Sequence, residues 1–84
     1  MKIKFTNTAR KEIYRLDIAI QRRIGRKLKW LASQINPLDF ADPLREHDTG
    51  QYRFRIGSYR VIFDIEREWI TVHSVGHRRE IYKK

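Results

Sequence analysis

The side chains with the most chemical capacity fall in two stretches of the second half of the chain. Residues 74–82 read SVGHRREIY, in which Gly76 is followed by His77, Arg78 and Arg79 in a row and then by Glu80 and Tyr82. Upstream, residues 52–60 read YRFRIGSYR, where arginine alternates with aromatic and aliphatic residues. Side chains two apart on a strand share a face. Arg53 and Arg55 therefore project together, opposite Tyr52, Phe54 and Ile56. A hairpin closed at Gly57-Ser58 would bring Arg60 onto the same face. Guanidinium groups for phosphates and an aromatic ring for a splayed base are the means by which single-stranded RNA is held. The competing reading is a solvated face whose arginines pair with cross-strand acids, for which Asp64, Glu66 and Glu68 are at hand.

Charge supports a polyanionic partner. The 84 residues carry nineteen Lys and Arg against ten Asp and Glu, a net +9. On so small a body this makes a strong positive potential that recruits polyanions. Nucleic acid comes first, an acidic protein second and an anionic membrane surface third. There is no cysteine, which excludes disulfides and thiolate zinc sites. His47, His73 and His77 are scattered and form no ligand cluster, so neither metal nor other cofactor is expected. No signal peptide is visible, because Met1 to Phe5 alternate charged and apolar residues. No run approaches the ~20 apolar residues needed to cross a bilayer. The expectation is a cytoplasmic, soluble, single-domain protein over residues 1–84.

The elements that must position these side chains can be read from periodicity. Residues 2–5 alternate as a short strand, and Thr6 or Thr8 can cap a helix with its hydroxyl. Ile13, Leu16, Ile20, Ile24, Leu28, Leu31 and Ile35 then recur three or four apart, a helical stripe. Asp17 offers a second cap, which predicts two helices broken near residues 16–18. Pro37 after Asn36 ends the helical segment. Residues 36–51 read as loop, rich in turn formers, with Leu38, Phe40 and Leu44 pinning it to the core. From residue 52 the period becomes two and predicts three strands, the last running from Trp69 to Val75 and breaking at Gly76. The expected fold is α+β: an N-terminal strand, a helical hairpin, then a three-stranded antiparallel meander, with the helices on one sheet face. Trp30 and Trp69 read as core or edge anchors, Tyr59 as packing and His73 as a strand residue of the polar face. The helix cations Arg10, Lys11, Arg15, Arg22, Arg23, Arg26, Lys27 and Lys29 read as a solvated outer face.

GQYRFRIGSYRVIFDIE followed by VHSVGHRREIY resembles the RelE family of the RelE/ParE toxin superfamily, small basic toxins of bacterial and archaeal toxin–antitoxin pairs. The resemblance covers the whole chain in element order. It implies a ribosome-dependent endoribonuclease that cuts mRNA in the ribosomal A site, and a cognate antitoxin that wraps and silences it. Residue by residue, it places the family's basic sheet positions on Arg53, Arg55 and Arg60, its C-terminal arginine on Arg78 and its terminal tyrosine on Tyr82. Arg79, next to Arg78, is read as a further RNA-binding residue. Cleavage of RNA by its own 2′-OH needs in-line geometry, charge relief at the phosphate and proton transfer at two oxygens. Arginines supply charge relief, often worth about 3–4 kcal/mol per donor, and a stacked tyrosine orients the sugar. This chemistry requires no metal. In the best-known members the positions of Arg53 and Arg55 are lysines, one of them proposed as general base. Arginine does not give up its proton readily, so His77 and Glu80 are the substitutes considered for acid–base work. A weak base, with positioning and charge relief dominant, is the third option.

Three other functions remain open at this point. ParE-like members of the same superfamily bind DNA gyrase and cut no RNA, and they generally lack the terminal arginine–tyrosine pair. A non-catalytic RNA- or ribosome-binding module would use the same basic face. A folded but inactive toxin is the remaining option, raised by the arginine-for-lysine changes.

Overall fold

The computed structural model describes residues 1–44 and 50–81. Strand β1 (Lys2–Phe5) leads into helices α1 (Asn7–Tyr14) and α2 (Ile18–Ala32). A 3-10 turn (Pro37–Phe40) and a two-residue strand β2 (Asp42–Pro43) precede the long strands β3 (Tyr52–Ile56), β4 (Tyr59–Glu66) and β5 (Trp69–His77). The five strands form one sheet in the order β1-β5-β4-β3-β2. The α+β class and the helical hairpin are as expected. The sheet, however, is mixed: β1 runs parallel to β5, pairing Lys2 with Trp69 through Phe5 with Val72.

Local chemistry explains the helix ends. Thr6 caps α1 by accepting the Ala9 N–H, and its own hydroxyl donates to the His73 carbonyl of β5. The break expected near residues 16–18 is present, with Asp17 at the cap position of α2 but without a side-chain cap bond. The helix stops at Ala32, short of Ile35. Ser33 satisfies the frayed end by donating its hydroxyl to the Trp30 carbonyl, and Asn36 is already extended before Pro37, as a residue preceding proline prefers. Ile35 therefore leaves the apolar stripe and is fully exposed. The region read as loop contains the 3-10 turn and β2, which pairs with β3 through Asp42 and Arg53.

The core lies between the helices and one face of the sheet. Ala9, Ile24, Leu28 and Leu31 pack on Phe54, Ile56, Val61, Phe63, Ile70, Val72 and Val75. Burying each large apolar side chain is worth about 1.5–3 kcal/mol, so this single layer holds the domain together. Leu38 joins it from the 3-10 turn, whereas Phe40 is largely exposed and rests edge-on against Trp30. Strand β5 does not break at Gly76. Its ladder with β4 continues through Gly76 and His77, opposite Arg60 and Tyr59.

The β3–β4 hairpin turns on Gly57 and Ser58, with Gly57 at a positive φ of +59°. Glycine at the first central position matches a type II′ turn, which follows the twist of the strands. A side chain there is strained, and a Cβ would also come 2.7 Å from Nη2 of Arg23 on α2. Gly57→Ala is expected to lower stability by about 1–2 kcal/mol, a melting shift of several degrees by circular dichroism. An unchanged melting curve would show that the turn relaxes into another type.

Candidate functional site

The face of the sheet turned away from the helices carries the strand arginines. Phe54 and Ile56 are buried against the helices, so Arg53 and Arg55 point the other way. Cross-strand register sets Arg55 opposite Arg60 and Arg53 opposite Ile62. Asp42 of β2, a residue without a signal in the sequence, binds two of these arginines at once. Its Oδ2 lies 3.1 Å from Nη2 of Arg53 and 3.2 Å from Nε of Arg55.

Arg60 is held differently. Its Nη1 donates to the main-chain carbonyls of Gly57 at 2.7 Å and Tyr59 at 3.0 Å. Among the described residues it makes no ion pair, so its charge is placed but not neutralised. The same turn receives the end of the chain, because the Arg78 backbone N–H donates to the Ser58 carbonyl at 2.7 Å. The guanidinium of Arg60 and the backbone of Arg78, residues read as partners in the sequence, are thus bonded to one hairpin turn. Arg78, Arg79 and Glu80 are exposed in a turn closed by the N–H groups of Glu80 and Ile81 on the His77 carbonyl. Tyr82, assigned to the same site from the sequence, lies outside the described residues.

The structure does not bring His77 to the strand arginines Arg53 and Arg55. It pairs with Tyr59 across β4 and β5, and its ring meets the Tyr59 ring edge-on at 5.6 Å. Tyr59 packs on the core and Val75 belongs to it, so His77 stands on the helix side of the sheet. Its Nδ1 accepts the Arg79 N–H at 3.1 Å. There it helps line a groove of about 600 Å³ with Lys11, Arg15, Tyr59, Glu80 and Ile81. His77 and the guanidinium groups of Arg53 and Arg55 are therefore divided by the sheet.

Two further placements were not legible in the sequence. Ile62, on the arginine side by alternation, is fully buried because Gly50 lies across it; a Cβ on Gly50 would come 2.8 Å from Cγ2 of Ile62. Beyond Ile62, His73 Nε2 and Asp64 Oδ2 are 2.9 Å apart. The β4–β5 register slips between Ile62 and Phe63, leaving His73 as the extra residue of a β-bulge. At the far edge, Lys2 and Lys4 both lie over the Trp69 ring, 5.3 and 5.4 Å from its centroid. All eight helix cations expected on the outer face are exposed.

Comparison with known proteins gives a consistent result. Residues 3–82 match the sequence model of a family described as the ParE toxin of the type II toxin–antitoxin system parDE. The curated toxin RelG of Mycobacterium tuberculosis is 30% identical over 86 residues, spanning 98% of this chain and 95% of RelG. Among solved structures, the toxin–antitoxin complex RelBE2 from Mycobacterium tuberculosis matches with a TM-score of 0.81 at 27% identity, over 94% of this chain and 92% of the other. The intact RelBE complex of E. coli matches with a TM-score of 0.71 at 21% identity, over 90% and 94% of the two chains, a likeness of fold.

Proposed function

This chain belongs to the RelE/ParE superfamily of type II toxin–antitoxin toxins, and we propose that it acts in the cytoplasm as a ribosome-dependent mRNA endoribonuclease. The observation that carries this reading is the convergence on the β3–β4 turn. Arg60 presents an un-neutralised guanidinium there, and the segment bearing Arg78 is bonded to the same turn. Arg53 and Arg55 extend the positive surface along β3. In the proposed reaction the message lies along this face in the ribosomal A site. The guanidinium groups take the charge that builds on the scissile phosphate as its own 2′-oxygen attacks. Tyr82 stacks on a base and orients the sugar. The exposed helix cations contact ribosomal RNA phosphates, which makes binding salt-dependent. A cognate antitoxin silences the toxin; with a +9 surface to cover, its toxin-binding segment is acidic or amphipathic.

The family description naming ParE favours a second reading, inhibition of DNA gyrase without cleavage of RNA. One experiment separates the two. Brief induction in cells, followed by primer extension on a translated message, is expected to show new 5′ ends within codons. Intact message together with DNA damage or stalled replication would replace the nuclease reading with the gyrase one.

A further inference from the structure

We propose that the His73–Asp64 pair is the general base of the proposed RNA cleavage, an inference that rests on the nuclease reading above. Asp64 and Thr71 face each other across β4 and β5, opposite the core residues Phe63, Ile70 and Val72. They therefore stand on the arginine side of the sheet. Asp64 is held at both oxygens: Oδ1 accepts the Gln51 N–H at 2.7 Å and Oδ2 meets Nε2 of His73 at 2.9 Å. In the neutral ring, a carboxylate at Nε2 favours the proton there and leaves the lone pair on Nδ1, the orientation a histidine base requires. The pair is about three-quarters buried, with side-chain exposures of 26% and 24%, and it sits at a β-bulge, a device that re-aims a side chain. The hydroxyl of Thr71, in register with Asp64, is buried and has no partner among the described residues.

The pair lies beside one of the strand arginines. Arg53 faces Ile62, and Asp64 follows Ile62 two residues along the same strand. Arg53 and Asp64 are thus diagonal neighbours, about 7–8 Å apart at the backbone. Side chains of this length can converge on one nucleotide. In the proposed step Nδ1 of His73 takes the 2′-hydroxyl proton as the 2′-oxygen forms its bond to phosphorus. The bond from phosphorus to the 5′-oxygen breaks, that oxygen takes a proton from water, and the imidazolium later returns its proton to solvent. The products are a 2′,3′-cyclic phosphate and a 5′-hydroxyl end.

The test uses the full chain on ribosomes programmed with a short mRNA, under single-turnover conditions at varied toxin concentration, alongside thermal melting. Expected are a rate loss of about 100-fold or more in His73→Ala and His73→Gln, an unchanged half-saturating concentration, and recovery of His73→Ala on addition of imidazole. Asp64→Asn, which keeps an oxygen for Gln51 but removes the carboxylate at Nε2, is expected to slow cleavage with the same split. Cleavage at the wild-type rate by His73→Gln overturns the base assignment and leaves the nuclease reading standing. A rate loss that follows a fall in melting temperature and is not relieved by imidazole also overturns it, marking the pair as a pin for the bulge. An inactive wild-type chain overturns the nuclease reading and this inference with it.

Discussion

Arg60→Ala is expected to slow mRNA cleavage on the ribosome by about 10²–10³-fold, the usual loss when one placed donor is taken from a developing negative charge. The reason lies in what holds the side chain. Arg53 and Arg55 share the carboxylate of Asp42, so part of their charge is already answered within the protein. Arg60 is fixed by two neutral carbonyls, which orient a guanidinium without spending its charge. A group both placed and un-neutralised stabilises a transition state with little reorganisation. Arg60→Lys keeps the charge, but a single ammonium cannot hold two carbonyls and reach a phosphate in a fixed plane; about a tenfold loss is expected from it, small against the loss in Arg60→Ala. Rates are read under single-turnover conditions with the melting temperature as control, because the alanine variant also loses two hydrogen bonds at the hairpin. Wild-type cleavage by Arg60→Ala would remove the central member of the site.

Glu12→Ala is expected to cost about 2–4 kcal/mol of stability, for a reason unrelated to catalysis. Strand β1 ends at Phe5, opposite Val72, so among the described residues the outer edge of β5 beyond that point has no neighbouring strand. The carboxylate of Glu12 on α1 takes its place. It accepts the Ser74 hydroxyl at 2.9 Å and the Val75 N–H at 3.2 Å, and both residues are buried. Each donor left without a partner costs about 1–3 kcal/mol, a large share of the ~5–15 kcal/mol that holds a small domain together. The expected fall in melting temperature is about 10–25 °C. Glu12→Gln keeps an oxygen acceptor and is expected to lose less than half as much. A melting curve for Glu12→Ala within two or three degrees of wild type would show that the β5 edge is satisfied in some other way.

Glu12 also shows where sequence reasoning stops. In the sequence it is an ordinary acid on a basic amphipathic helix, and its partners are more than sixty positions away. Asp42 is hidden for the same reason: it lies in a stretch rich in turn formers, and its pairing with Arg53 exists only once β2 has joined the sheet edge. His73 and Asp64 were both legible as polar-face residues, but not as a bonded pair. Their contact depends on a one-residue slip between β4 and β5, and a bulge leaves little trace in a period-two pattern. His77 was drawn into the site by its neighbours in the chain. Alternation counted from Val75 assigns it to the helix side, a step available only once the strand is known to run through Gly76.

By itself the sequence determined what repeats at short range. Spacings of three and four set the two helices, and alternation set the strands. Gly57-Ser58 set the hairpin, and the same alternation put Arg53, Arg55 and Arg60 on one face. These are local properties, because side-chain direction follows from the backbone of a few residues. Only the tertiary structure decided which distant groups meet: β1 parallel to β5, Asp42 beneath two arginines, Glu12 on the β5 edge, Arg78 at the Arg60 turn, and Asp64 on His73. Such contacts are fixed by sheet order, register slips and the docking of one element on another, and no local pattern in the chain carries that information.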